Sequence, residues 1–97
     1  MSLNSVEKTN KIEEILGSRA RVKILKTLAI NEELTISLII NKTRLNYSCV
    51  IKHLNYLKTI NLIQEKKFGR IKIFRFKLEN MKARSFKKFL EIWEGDF

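Results

Sequence analysis

The sequence predicts a single, mainly helical α+β domain. Apolar residues recur at helical spacing through the first sixty positions, alternate along residues 62–78, and return to helical spacing after Asn80. The 97 residues are 44% hydrophobic, and no apolar run approaches the ~18 to 20 residues that span a bilayer. We therefore expect one globular domain over residues 1–97, composed of an N-terminal helix (1–17), a core (18–78) and a C-terminal helix (79–97).

A Gly-Ser pair separates the first two predicted helices. The first helix is expected from about Ser5 to Leu16, with Gly17 in a left-handed cap position. Ser18 then caps a second helix, Arg19 to Asn31. The second helix is expected to place Val22, Leu25, Leu28 and Ala29 inward, with Ile24 at the edge, and Arg19, Arg21, Lys23 and Lys26 in solvent.

The next two helices are short, close together and separated by a turn. Thr35 caps a helix over residues 36–43, in which Leu38, Ile39 and Ile40 are expected to be buried. After the turn Arg44-Leu45-Asn46, Asn46 caps a longer helix with the core stripe Val50, Leu54 and Leu57. Its outward side chains are Tyr47, Ser48, Ile51, Lys52 and Asn55. DNA-binding proteins use such a helix-turn-helix to lay the second helix in the major groove, where these side chains can meet base edges or phosphates. Tyr47 has the alternative of packing against the preceding helix.

Residues 62–78 predict a basic β-hairpin. Lys66-Lys67-Phe68-Gly69-Arg70 is expected to form a glycine-centred turn, and Phe74, Phe76 and Leu78 to share the inward face of the second strand. The cations at the tip, Lys66, Lys67, Arg70 and Lys72, are suited to a phosphate backbone or a narrow minor groove. Phe68 has two possible positions, wedged against sugar or base, or folded back onto the hairpin.

The net charge of +10 is concentrated in one part of the chain. Residues 42–77 contain ten Lys or Arg and one Glu, whereas residues 1–41 contain six basic and five acidic residues, and residues 78–97 four of each. Such a concentration of positive charge is typical of proteins that bind a polyanion.

The predicted last helix carries an aromatic stripe. Asn80 caps a helix from Met81 to about Glu94, in which Phe86, Phe89, Leu90 and Trp93 fall on one side. We expect this stripe, with Val6 and Ile12 of the first helix, to form a homodimer interface. The alternative is a ligand pocket.

The single cysteine and single histidine indicate no disulfide and no metal site. His53 is expected to be a structural residue beside the core. Cys49 is expected to fill the place of a small residue, with an oxidation-sensitive thiol as the alternative. No catalytic constellation or cofactor motif is present, so we expect neither enzymatic activity nor a cofactor. The N-terminus lacks an export signal, which predicts a cytoplasmic protein.

Three segments resemble ArsR-like winged-helix transcriptional regulators, particularly their small archaeal relatives. They are Leu16-Gly17-Ser18-Arg19-Ala20-Arg21-Val22-Lys23-Ile24-Leu25, Ser48-Cys49-Val50-Ile51-Lys52-His53-Leu54, and Leu62-Ile63 followed by Gly69-Arg70 and Phe74. The resemblance implies a winged helix-turn-helix with dimerisation helices at both ends and a DNA-binding dimer. The Cys-containing box and the last-helix ligands of metal-sensing members are missing, so it implies no metal sensing.

These observations together predict a homodimeric, sequence-specific regulator that binds double-stranded DNA. The predicted DNA-binding residues are Arg44, Tyr47, Ser48, Ile51, Lys52, Asn55, Lys66, Lys67, Arg70 and Lys72. Two alternatives use the same sequence features: an architectural or chromatin DNA-binding protein, and a winged-helix protein-interaction module. The sequence indicates no membrane partner and no particular small-molecule effector.

Overall fold

The structure is a computed structural model, and it describes residues 11–95. Its helices are α1 (Ile12–Ile15), α2 (Arg19–Asn31), α3 (Ile36–Thr43), α4 (Tyr47–Thr59) and α5 (Met81–Glu94), and its strands are β1 (Glu33–Thr35), β2 (Ile63–Phe68) and β3 (Ile71–Phe76). The predicted mainly helical α+β architecture, with a helix-turn-helix followed by a hairpin, is confirmed. Val6 and the first half of the predicted N-terminal helix lie outside the described residues.

Four helices begin at the side chains that the sequence predicts as caps. In each case a side-chain oxygen accepts an amide hydrogen bond from two or three residues further along, which satisfies one of the unpaired N–H groups of the first turn. The capping residues are Ser18 for α2, Thr35 for α3, Asn46 for α4 and Asn80 for α5. Local sequence therefore fixes where the helix-turn-helix begins.

Gly17 is required for a different reason from the one predicted. Its backbone is not left-handed; among the described glycines a positive φ occurs at Gly69 and Gly95. The C-cap of α1 is instead Leu16, with φ of −96°. A Cβ at Gly17 would lie 2.5 Å from the carbonyl oxygen of Glu13, so the close approach of the two backbone segments excludes a side chain.

The hairpin belongs to a three-stranded antiparallel sheet with the order β1-β3-β2. The predicted turn is shorter in the structure, because β2 continues through Phe68 and only Gly69 and Arg70 form the loop. Gly69 has φ of +62°, and the first residue of some two-residue hairpin loops has this conformation. Strand β1 was not predicted; its three residues pair with residues 73–75 of β3.

All five helices and the sheet contribute residues to the core. Val50, Leu54 and Leu57 of α4 are fully buried and Phe74 and Phe76 of β3 nearly so, as predicted. Leu78, predicted on the same inward face, lies beyond the end of β3 and is half-buried.

Two predicted helix faces differ in part from the structure. In α2, Ile24 is fully buried instead of lying at the edge, and Val22 is only half-buried. In α3, Leu38 is exposed because Ile39 and Thr43, four residues apart, occupy the inward face. Leu25, Leu28 and Ala29 of α2 and Ile39 of α3 are buried as predicted, so each buried face differs from the predicted one only at its margin.

Candidate nucleic-acid interface

Helix α4 is held on the core through one face and exposes the other. The turn that leads into it reverses the chain at Arg44, which has the left-handed φ of 63° and ψ of 23°. Asn46 then accepts the amide hydrogen bond of Cys49 at 2.8 Å, and so fixes the first turn of α4. This anchoring leaves the predicted DNA-facing side chains of α4 on the outer surface.

The outer face of α4 matches the predicted set in exposure. Lys52, Asn55 and Ser48 are exposed and Ile51 is half-buried. Tyr47 is 60% exposed, so it does not pack away against α3. The Ser48 hydroxyl donates to the side-chain oxygen of Asn46 at 3.1 Å, so it already takes part in the cap.

We refer to the β2–β3 hairpin as the wing. Some of its cations form ion pairs and others do not. Lys66 forms an ion pair with Glu33 at 2.8 Å, and Lys72 lies 3.8 Å from Glu65. Lys67 and Arg70 form no ion pair with any residue in the described part of the chain, and the same holds for Lys52 on α4. Three cations on adjacent elements therefore remain available to a partner.

The single acidic residue of the basic block is neutralised inside the fold. Lys58, near the end of α4, donates to Glu65 of β2 at 2.6 Å. This hydrogen bond is the main cause that lowers the pKa of Glu65, with the charges of Lys58, Lys72 and Lys67 adding to it. Glu65 thus stays ionised and ties the wing to α4.

Arg21 is half-buried and makes structural contacts, instead of lying in solvent as the helical pattern predicted. Its Nε donates to Nδ1 of His53 at 3.3 Å, and its guanidinium lies 3.8 Å from the ring centroid of Tyr56. A second guanidinium N–H donates to the carbonyl oxygen of Glu14. Arg21 therefore joins α1, α2 and α4. Helical periodicity gives no sign of this role, because His53 lies 32 positions away in sequence.

His53 is buried beside the core stripe of α4, in the position expected of a structural residue. Burial is the largest cause that lowers its pKa from the ordinary value of 6.5, and the charges of Arg21 and Lys52 lower it further. The neutral ring accepts from Arg21 at Nδ1. Within residues 11–95 no group of three or more His, Cys, Asp or Glu is placed to hold a metal ion.

The aromatic stripe of α5 is split between core and surface. Leu90 is only 4% exposed and packs in the core of its own chain, which corrects its predicted place on an interface surface. Phe86 is half-buried against the core. Phe89 and Trp93 stack on each other with ring centroids 5.6 Å apart, and remain 49% and 75% exposed.

This arrangement of elements defines the winged-helix class of nucleic-acid-binding domains: a capped helix-turn-helix, a basic two-stranded wing and flanking helices. Residues 18–65 match the family described as bacterial regulatory protein, arsR family. Residues 18–65 therefore have the DNA-binding fold of the ArsR family of transcriptional regulators, and the predicted resemblance to that family is confirmed.

Solved structures support the same fold over nearly the whole chain. NolR from Sinorhizobium fredii superposes with a TM-score of 0.72 at 21% identity and covers 100% of both chains. HlyU from Vibrio cholerae gives a TM-score of 0.74 at 15% identity, over 93% of this chain and 96% of its own. The transcriptional repressor PagR of Bacillus anthracis gives 0.70 at 22% identity, over 89% and 95%.

No sequence among the curated proteins matches the chain. In the described range, no helix has both the length and the apolar character required to cross a membrane.

Proposed function

We propose that this protein is a homodimeric transcriptional regulator that binds specific double-stranded DNA. Helix α4 enters the major groove, and the wing contacts the flanking backbone or minor groove. The observation that carries this proposal is the exposed surface of α4 and the wing, where Lys52, Lys67 and Arg70 form no ion pair with a carboxylate of residues 11–95. The fold of the ArsR family supports the same placement.

Side chains suited to both kinds of DNA contact lie on this face. Asn55 can bond bidentately to adenine, and Lys52, one turn earlier, can reach guanine or phosphate. Tyr47 and the free N–H groups at the start of α4 are suited to phosphate. Arg44, Ser48 and Ile51 border the same surface, and Lys66 and Lys72 extend it along the wing once they exchange their carboxylates for phosphates.

The proposed dimer interface is the apolar surface of α1 and α5. Ile12, Phe89 and Trp93 are exposed there, and Met81 is 71% exposed at the start of α5. Between the two helices lies a largely apolar groove of about 600 Å³. Contiguous apolar surface of this kind marks an interaction site, and a second copy would bury it. A two-fold dimer would place its two α4 helices in successive major grooves, about 34 to 36 Å apart.

DNA binding is tested by fluorescence anisotropy with labelled duplexes. Lys52→Gln combined with Arg70→Gln should weaken binding at least tenfold, because the double variant removes two cations from each copy. Lys23→Gln combined with Lys88→Gln is the matched control, since both are exposed cations outside the basic block that form no ion pair within residues 11–95. Equal effects of the two changes would contradict the proposed surface.

Competition with unlabelled duplexes of varied sequence tests specificity. Strong preference for particular sequences supports a regulator. Uniform competition would support an architectural DNA-binding protein instead, and absence of binding would favour a protein-interaction module.

The dimer is tested by sedimentation velocity. Phe89→Ser combined with Trp93→Ser should give monomers that bind DNA much more weakly, because two stacked, exposed aromatic rings are lost. Ile30→Ser, an exposed apolar change on α2, should leave the dimer intact. An unchanged dimer in the Phe89/Trp93 variant would remove this face from the interface.

A further inference from the structure

The tip of the wing carries an exposed apolar pair. Phe68 and Ile71 lie directly opposite each other across β2 and β3, next to the Gly69-Arg70 loop. Phe68 is 59% exposed and Ile71 is 56% exposed. The sequence left open whether Phe68 folds back onto the hairpin; this exposure shows that it projects into solvent.

The tip also projects beyond the rest of the sheet. Strand β1 pairs with β3 only from Ile73 to Arg75, so the residues beyond Ile73 form a two-stranded ribbon without a third strand. No residue of the tip belongs to the hydrophobic core. The apolar pair therefore contributes little to folding, and its position makes it the first apolar surface that a partner of the wing would meet.

Positive charge lies close to the apolar pair, on the other face of the ribbon and in the loop. Lys67 lies directly opposite Lys72, and because side chains alternate along a strand, this pair occupies the opposite face from Phe68 and Ile71. Like charges at directly opposed positions destabilise a hairpin, and nearby phosphates would remove that cost. Arg70 adds a third cation in the loop. An apolar edge bordered by cations is complementary to a DNA groove, where stacked bases lie between two rows of phosphates.

We propose that Phe68 and Ile71 form an apolar wedge that enters the minor groove, partly unstacks a base step and bends the DNA. This inference rests on the proposed DNA binding. Proteins that insert Phe or Ile side chains between base steps kink the duplex by about 20 to 90°, toward the major groove. Lys67, Lys72 and Arg70 hold the flanking phosphates while the wedge is inserted. Pyrimidine–purine steps such as TA are the preferred sites, because they unstack most easily.

The bend is measured by energy transfer between dyes at the two ends of a short A·T-rich duplex that contains TA steps, with saturating protein. We expect the wild-type protein to shorten the end-to-end distance. Phe68→Ser combined with Ile71→Ser should remove at least half of this change, while the dependence of affinity on salt stays the same because no cation is lost. Ile30→Ser serves again as the control and should bend the duplex like the wild type.

Each outcome bears on a separate proposal. Binding of a duplex that stays straight, or an equal bend by the Phe68/Ile71 variant, overturns the wedge and leaves DNA binding intact. Failure of the wild-type protein to bind any duplex overturns the proposed function and the wedge with it. Thermal melting should show the double variant folded, since both side chains are exposed.

Discussion

Replacement of Arg21 by Gln should destabilise the fold and loosen the attachment of α4. The change removes the hydrogen bond to His53, the cation over the ring of Tyr56 and the bond to the Glu14 carbonyl oxygen. These three contacts join α2 to α1 and α4, so their loss affects the helix that carries the proposed DNA-binding side chains.

The expected cost of Arg21→Gln follows from these contacts. Each hydrogen bond contributes about 1 kcal/mol net, and a cation over an aromatic ring about 0.5 to 1 kcal/mol. The total loss is about 2 to 3 kcal/mol, somewhat less if the Gln amide recovers one bond. Arg19→Gln is the matched control, because Arg19 is exposed on the same helix; a surface change of this kind is worth about 0.5 kcal/mol or less.

Urea unfolding gives the stability difference, and proton NMR gives the pKa of His53. Because the chain has one histidine, its ring signals are unambiguous. The pKa should rise in Arg21→Gln, since a positive charge is removed, but should stay below 6.5 because burial remains the largest cause of the shift. Equal stability losses for Arg19→Gln and Arg21→Gln, or an unchanged titration of His53, would refute the role assigned to Arg21.

Three further predictions concern pH, backbone packing and charge. The pKa of His53 in the folded protein lies below 6.5, so as the pH falls the unfolded chain takes up the proton first. The contribution of His53 to the free energy of unfolding should therefore be constant above about pH 6.5 and fall below it. Urea titrations at several pH values should show this slope for the wild type and not for His53→Gln. Gly17→Ala should lower stability by about 1 to 2 kcal/mol in urea unfolding, because its Cβ would meet the Glu13 carbonyl, whereas no loss would show that the backbone there adjusts freely. Arg70→Gln should reduce the slope of log affinity against log salt by about 1.8 for a dimer that uses both wings and by about 0.9 for a single wing; an unchanged slope would mean that Arg70 meets no phosphate.

The helix boundaries were predictable because short-range chemistry sets them. Ser18, Thr35, Asn46 and Asn80 each cap a helix within three residues, and the alternation of β3 residues identified its inward face. The buried faces of α2 and α3 were predicted only in part, because runs such as Ile36-Ser37-Leu38-Ile39-Ile40 offer several overlapping stripes of similar hydrophobicity. Only packing against the rest of the core selects one of them.

The features that the sequence did not reveal depend on distant partners. Strand β1 has three residues and no visible alternation, and it exists because β3 pairs with it. Arg21 looks like any solvent-facing cation until α4 brings His53 and Tyr56 beside it. The ion pair of Lys66 with Glu33 likewise depends on the sheet. It distinguishes Lys66 from the wing cations that form no ion pair within residues 11–95.

The salt dependence of DNA affinity tests the central claim most directly. Anisotropy of a labelled duplex should be titrated with protein at several salt concentrations. A dimer that makes six to ten phosphate contacts should lose about 10³ to 10⁵ in affinity between about 50 and 200 mM salt. Absence of binding at low micromolar protein, or an affinity that salt does not change, would contradict the assignment of the α4 and wing surface to DNA.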